Sequence, residues 1–553
     1  MSTETLFNAT SLYRMFFLSD FWGFELSSNT SHKSWRPLTT YTFRLQTWVT
    51  TTPNPKHFHT TNVLLHVAVT VLYYEFLRRL LPAISSTKFT NKDQKLLSSD
   101  DMGFASIVGS CLFAVHPIHT EPIAAIVGRA ELLGGFFFLI MLHRYMSAME
   151  NFKNSGWHAQ NIAEWFALTL LAMLSKEQGI TVLGVCCVVD IAVHYDISFH
   201  RLTTIMAKNS IYYKSISNLW VSSASIRYRF INLVIIGSVL LWLRFHVMGF
   251  KPPTFIQQDC PIAYIENIAL RLVNIQYMWT MNVLLTICPL WLSFDWSNGC
   301  LSLIYSFWNV RIGAILVLWV TLFGTLYMAI SFPNIAFRRL IQISVALYVI
   351  PFIPASNIFF YVGFLIAERV LYLPTFGYCL FTGTVMCYCL RQISNNKVKD
   401  TITAIVCVVI VIHCFKSVQR CSDWLTEVQL YRSGIKLCPS NTKAHYNLAN
   451  ALVRLGAKQE AIFEYREALR YNPNDAISLN NLGILMIDLK NFSEAEHLLK
   501  KAVFNKHDFP HAWQNLGIVS AKLGNYELAE KSYLTVIHYK PNTTATWLYL
   551  GNL

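Results

Sequence analysis

Five clusters of ionisable residues stand in otherwise apolar or aromatic sequence. They are Asp20-Phe-Trp-Gly23 with Ser31-His32-Lys33-Ser34-Trp35-Arg36, His116-Pro-Ile-His119-Thr-Glu121, Arg129-Ala-Glu131, Ser175-Lys176-Glu177 and Glu368-Arg369. Carboxylates beside Arg, Lys and His are what a site needs to move a proton while neutralising an anionic phosphate. Each cluster also has a purely structural reading. Glu368-Arg369 and Lys176-Glu177 would tie helix ends together as ion pairs, and Asp20 would cap a helix. His116-x-x-His119 resembles half of a metal site. With Pro117 between the two and no second pair at ligand spacing, no metal ligand is assigned, and the need for a divalent ion stays open. The clusters weigh more together than singly, because charges at membrane depth are costly and mark function by default.

The elements that must position them are membrane helices. Of 553 residues, 54% are hydrophobic and only 14% charged, against about a quarter charged in soluble domains. Apolar runs approaching the roughly 17–25 residues of a span fall at about 62–81, 103–118, 132–146, 162–174, 178–193, 230–248, 311–331, 340–355, 374–390 and 400–415. The stretch 264–292 is left out because Glu266, Arg271 and Asn274 interrupt it. The net charge of +14 comes from Lys and Arg scattered over short loops. No basic helix or basic-aromatic strip accompanies it, so no nucleic-acid partner is expected. The thirteen cysteines follow no disulfide or metal spacing. Cys111, Cys186, Cys187, Cys379, Cys387, Cys389 and Cys407 lie in apolar runs, where a free thiol behaves as a small hydrophobe.

Loop charge sets an orientation. With the first sixty residues facing away from the cytosol, the cytosolic loops hold Lys88, Lys92, Lys95, Lys153, Arg201, Lys208, Lys214, Arg227, Arg229, Arg338, Arg339, Arg391, Lys397 and Lys399. The opposite loops hold far fewer, as the positive-inside rule requires. An even number of spans then puts the C-terminal part on the lumenal side. Asn-x-Ser/Thr acceptors at Asn8, Asn29, Asn491 and Asn542 all fall on that side.

The C-terminal part is repetitive. Pro439, Pro473 and Pro541 are spaced by 34 residues and twice 34, the tetratricopeptide period. Leu448-Ala449, Leu482-Gly483, Leu516-Gly517 and Leu550-Gly551 recur in phase at the tight helix contact, as do Ala461, Ala495 and Ala529. Those are packing residues. Asn447, Asn481 and Asn515 precede the Leu in successive repeats, and such a ladder suits a peptide backbone in a concave groove. Ordinary consensus filling is the plainer account of the same three residues.

The fold class is therefore all-α: a polytopic transmembrane helical bundle followed by a tetratricopeptide α-solenoid. The order is a lumenal segment at 1–61, a multi-pass domain at 62–417, a linker helix at 418–440 and repeats at 441–553. Three repeats are full and a fourth is cut at Leu553. The N-terminus has no charged start followed by an apolar core, so no signal peptide is expected. Together with the cut repeat, this points to a truncated or alternatively spliced product.

The string DFWGFELSSNTSHKSWRPLTTYTFRLQ resembles the first lumenal loop of the transmembrane and tetratricopeptide repeat-containing family of O-mannosyltransferases. HPIHTEPIAAIVGRAELLG, LSKEQGITVLG and AERVLYLPTFGYC are similar to its membrane motifs, and TICPLWLSFDWSNGC to its uncharacterised middle domain, near 250–325 here. The resemblance implies an inverting GT-C type glycosyltransferase of the endoplasmic reticulum membrane with lumenal repeats. It implies dolichyl-phosphate mannose as donor, its dolichol chain between helices in membrane lipid, and Ser/Thr hydroxyls of proteins as acceptors, cadherins being typical. On that reading Asp20 and Glu121 are the catalytic carboxylates. Arg36, Arg129 and Arg369, with His32 and Lys176 behind them, bind the donor phosphate.

The chain departs from the family at one point. Members carry an earlier helix and an acidic Asp-Asp pair before the DFWG motif. Here only Met1–Ser19 precede Asp20, with Glu4 the sole acidic residue. Either Asp20 or Glu121 is the base, or the chain is catalytically impaired. A non-catalytic repeat scaffold anchored in the membrane is the alternative; a transporter is weaker, with no paired Gly/Pro-interrupted segments.

Overall fold

A computed structural model describes residues 18–28, 31–50, 54–85, 96–155, 159–194, 224–251, 253, 255, 257, 259–297 and 299–553. Asn8, Asn29 and the loop cations Lys88, Lys92, Lys95, Arg201, Lys208 and Lys214 lie outside these residues. The described residues are helical, with one isolated β-bridge between Ser19 and Glu25. They form two compact units. One comprises residues up to Leu292 together with Leu303–Cys421; the other comprises Ser293–Ser302 and Ser422–Leu553.

The first unit runs α1 Pro37–Thr50, α2 Pro55–Ser85, α3 Ser99–Val115, α4 Thr120–Ala124, α5 Arg129–Ser155, α6 Ala159–Ser175, α7 Val182–His194, α8 Ala224–Val247, α9 Ile268–Ile287, α10 Ile312–Ser331, α11 Ile335–Phe352, α12 Thr375–Gln392 and α13 Asn396–Asp423. All ten expected spans fall on helices. Among the described residues seven segments are long and apolar enough to cross a bilayer, or eight if α3 and the Pro117–Ala124 stretch, bent by 47°, make one span. The two expected spans outside that set are α6, only 17 residues long, and α12, which Gly, Thr and Tyr make less apolar. The omitted stretch is helical too: Asn267 caps α9, and Asn274 turns inward to bond both the N–H and the carbonyl of Ile304.

Ser98 and Asp101 start α3 with a reciprocal capping box, satisfying donors that no earlier turn can reach. The core gathers Tyr73 and Phe76 of α2, Phe113 of α3, Phe138 of α5, and Tyr372 and Phe376 at α12. Phe113 and Phe376 stack with centroids 4.7 Å apart. Lipid does not drive helices together, so close approach must come from small residues. Gly109 and Gly383 supply it: a Cβ on Gly383 would stand 2.8 Å from the Gly109 nitrogen.

Six connections among the described residues are 3₁₀ turns, of which Pro117–His119, Ile126–Gly128, Glu177–Thr181 and Glu368–Leu371 lie at the charged clusters. Irregular backbone at membrane depth survives only where protein or a cavity surrounds it. Here Gly128 and Gly179 allow the return paths, since a Cβ on either would overlap the Pro122 or Ala172 carbonyl. These turns carry the charged motifs.

The second unit opens with α14 Glu427–Leu437. Three antiparallel pairs follow: α15 Thr442–Arg454 with α16 Lys458–Tyr471, α17 Ala476–Asp488 with α18 Phe492–Asn505, and α19 Pro510–Lys522 with α20 Tyr526–Tyr539. Helix α21, Thr544–Gly551, begins a fourth. Gly483 and Gly517 let each pair close, against Leu499 and Tyr533. The turns place Gly456, Lys490 and Gly524 at φ of 79°, 61° and 79°. Residues 293–302, read from the sequence as middle domain, pack here: Phe294 sits against Tyr431, Lys443 pairs with Asp295 at 3.1 Å, and Ser440 donates to the Gly299 carbonyl. Cys300 and Cys438 form a disulfide with Cα atoms 4.9 Å apart. That corrects the reading of the cysteines, whose spacing could not show a pair 138 residues apart in sequence.

Candidate active site

Charged side chains converge on the 3₁₀ connectors. Arg36, at the start of α1, donates from Nε to Glu177 at 3.0 Å, and Arg244 of α8 reaches the other oxygen of Glu177 at 3.3 Å. Arg244 also donates to the Lys33 carbonyl at 2.6 Å, fixing the segment that precedes α1. Thr39 donates to the Ser175 carbonyl, so α1 is held to the end of α6. Next in the cluster, Lys176 pairs with Glu131 of α5. Arg369 faces both Glu131 and Glu121, at 3.7 and 3.6 Å, and its backbone N–H donates to Glu121 at 3.0 Å. Four cations (Arg36, Lys176, Arg244, Arg369) thus meet three carboxylates (Glu121, Glu131, Glu177). Glu368, also buried, lies on the same connector as Arg369, so cations and carboxylates are close to balance, in surroundings of low polarity where charge acts over longer range.

Glu121, Arg36, Lys176 and Arg369 are therefore together. Asp20 is engaged elsewhere: its carboxylate accepts from the N–H groups of Trp22, Phe24 and His32 and from the Ser31 hydroxyl at 2.7 Å, which organises the loop rather than a helix end. His32 is exposed, its ring 5.7 Å from Phe255. Arg129 points to a different set. It donates to Asn62 at 3.0 Å, to Gln46 at 2.7 Å and to the Phe58 carbonyl, and lies over the Phe43 ring. Two residues along a helix face opposite ways, so Arg129 and Glu131 cannot share a partner set. His116 and His119 are buried and bonded, His116 to the Thr286 carbonyl and His119 to the Phe113 carbonyl and Thr375. Among the described residues no three metal-ligating side chains gather. Arg244 was missed because it sits in an apolar run; a lone Arg in a span was the available signal.

In the repeats, Asn481 donates to Asn450 at 3.0 Å, Asn480 to Asn481 at 3.0 Å, and Asn515 to Asn480 at 2.9 Å. Asn481 and Asn515 belong to this chain of bonds; Asn447 takes no part in it. Asn450 and Asn480 extend it and were not singled out in the sequence. Asn491 and Asn542 are exposed, Asn491 at the start of α18.

Fold and site define a polytopic helical membrane protein bearing tetratricopeptide repeats. Repeat models match residues 442–475, 476–503 and 510–543, and the model "Protein O-mannosyl-transferase TMTC, DUF1736" matches 249–323. Protein O-mannosyl-transferase TMTC4 of Mus musculus is 38% identical over 456 residues, covering 81% of this chain and 59% of its own. TMTC4 of Homo sapiens is 39% identical over 452 residues with the same coverage, and Tmtc3 of Drosophila melanogaster 32% identical over 88% of this chain and 54% of its own. The chain spans a little over half the length of these curated relatives. Over the region it shares with them, the chain is similar to the TMTC proteins.

Proposed function

We propose that this protein transfers mannose from dolichyl-phosphate mannose to Ser/Thr hydroxyls of proteins in the lumen of the endoplasmic reticulum. The observation that carries the reading is the convergence of Arg36, Lys176 and Arg369 at the connectors, three cations that suit the charge of a departing dolichyl phosphate. The names of the relatives, protein O-mannosyl-transferases, support the same chemistry. Arg36, Lys176 and Arg369 neutralise the phosphate; His32 and Arg129 stand as further donor-binding candidates, and Glu121 and Asp20 as the carboxylates offered by sequence. The acceptor oxygen attacks the mannose C1, a carboxylate takes its proton, and inversion follows.

The dolichol chain lies between helices. Acceptors, cadherins among them, are presented by the repeats, with Asn447, Asn481 and Asn515 along the peptide groove. A lumenal position of the repeats is supported by the Cys300–Cys438 disulfide, because such bonds persist in oxidising compartments. Exposed acceptors Asn491 and Asn542 support it too, with Asn8 and Asn29 as further glycosylation candidates. A second reading, a non-catalytic scaffold, draws on the extent to which the charged groups already pair with one another.

The test is transfer of mannose to a Ser/Thr-rich peptide by membranes carrying the chain and its Glu121→Gln variant. Transfer by the chain, falling at least about tenfold in the variant, supports the enzyme. No transfer above background favours the scaffold, and equal activity removes Glu121 from the site.

A further inference from the structure

The loop that carries Asp20 builds a surface of its own. Gly23, at φ 92°, closes a turn that returns its N–H to the Asp20 carbonyl at 3.0 Å. The Asp20 carboxylate holds the far side of the loop through the His32 N–H and the Ser31 hydroxyl, and Arg244 anchors it at the Lys33 and Trp35 carbonyls. The result is a row of rings. The Phe21 ring centroid lies 5.2 Å from the Arg36 guanidinium, Trp22 5.2 Å from Phe21, His32 6.4 Å from Trp22, and Phe255 5.7 Å from His32. Phe255 comes from the middle domain and is fixed twice over. Tyr264 donates to its carbonyl at 2.8 Å, and its ring rests on bare backbone at Gly363, where a Cβ would stand 2.5 Å away. The inner end of the row, Phe21, is buried; at the outer end Trp22 is 44% exposed and His32 is exposed too. Single exposed apolar residues are ordinary, but a contiguous apolar surface with a polar rim marks an interaction site. Among the described residues neither the indole N–H of Trp22 nor either ring nitrogen of His32 makes a hydrogen bond.

We propose that this row of rings is the acceptor subsite: it receives the polypeptide beside the Ser/Thr that takes mannose, and favours an aromatic side chain there. The proposal rests on the mannosyltransferase reading above. Arg36 belongs to the charged cluster, so the ring contacts run in series from open surface to the place where a phosphate carrier is neutralised. A side chain lying on Trp22 and Phe255 meets ring faces and edges, the arrangement that aromatic pairs prefer. The imidazole between them offers one donor and one acceptor, the two groups that an extended backbone presents at each residue. A bilayer covering the same rings would leave those polar edges unmatched. The donor sugar, one bond from its phosphate, stays at the inner end of the row.

The experiment uses membranes bearing the full chain and two peptides that differ only in Phe or Ala beside a single acceptor Thr. The acceptor KM should be lower for the Phe peptide by about threefold to tenfold, the factor that an aromatic contact is worth. Trp22→Leu and Phe255→Leu should each abolish most of that preference and leave donor KM unchanged. No preference in the unsubstituted chain, or one that survives both substitutions, overturns the proposal. A rise in donor KM instead would assign the rings to the sugar, and an equal loss for both peptides with earlier thermal unfolding would make them structural; either result overturns it as well. A peptide with benzophenone in place of the Phe ring, photolysed without donor, keeps the two readings apart. Crosslinks to Trp22, His32 or Phe255 in a chain that transfers no mannose would uphold the peptide subsite and sink the transferase. Transfer without such crosslinks would do the reverse.

Discussion

Arg244 is a cation within an apolar run, with three separate acceptors: the carbonyls of Lys33 and Trp35 and the Glu177 carboxylate. Arg244→Met would keep the bulk of the side chain and remove all three bonds. Glu177 would retain Arg36 alone, and a buried carboxylate that loses one charged partner is destabilised by about 1–3 kcal/mol. The expected result is a lower unfolding temperature in detergent together with reduced mannose transfer. A second residue-scale case lies in the repeats. His445 bonds Glu464 at 2.6 Å and the Pro439 carbonyl at 2.8 Å. Burial opposes its charge, but these acceptors outweigh burial and raise its pKa above the ordinary 6.5. A raised folded value means the pair stabilises fully below pH about 6.5, the unfolded value, and loses that contribution as pH rises through the folded value. Thermal unfolding followed across that window should show the decline, and His445→Gln should flatten it.

Helix packing carries its own predictions. α3 and α12 meet at Gly109 and Gly383, where a Cβ on Gly383 would clash with the Gly109 backbone. Gly383→Leu should separate them and cost at least about 1–3 kcal/mol from overpacking, read as lost protease resistance of the membrane unit. The repeat turns differ at one place: Lys490 occupies the left-handed conformation that Gly456 and Gly524 adopt in the flanking repeats. A left-handed side-chain residue costs about 1–2 kcal/mol, partly offset by the entropy a glycine loses on folding. Lys490→Gly should therefore raise repeat stability by about 1 kcal/mol, measured by thermal unfolding. Helix positions and the repeat period were legible beforehand because apolar runs and a 34-residue spacing are local signals. The 3₁₀ connectors were not, since their glycines serve close approaches between segments that sequence alone does not bring together. For the same reason Arg36, Lys176, Arg369 and Glu121 could be named from composition, whereas Arg244, Glu177's partner choice and the separate set around Arg129 needed the backbone.

For the molecule as a whole, the disulfide is the feature that links redox compartment to architecture. Cys300, between α9 and α10 in sequence, is bonded to Cys438 just after α14. Removing it with Cys300→Ser should destabilise the repeat unit by about 2–4 kcal/mol, seen as earlier proteolysis of the repeats, and reductant should do the same to the unsubstituted chain. In sealed microsomes the repeats should resist added protease, and Asn491 and Asn542 should accept glycans. The charged cluster at the connectors should support sugar transfer from a phosphate carrier. Its most direct test is the rate of mannose transfer from dolichyl-phosphate mannose to a Ser/Thr peptide by membranes bearing the full chain and its Arg369→Gln variant. Mannosylated peptide should form with the chain and fall at least about tenfold in the variant. Transfer that is absent from both, or equal in both, would contradict it.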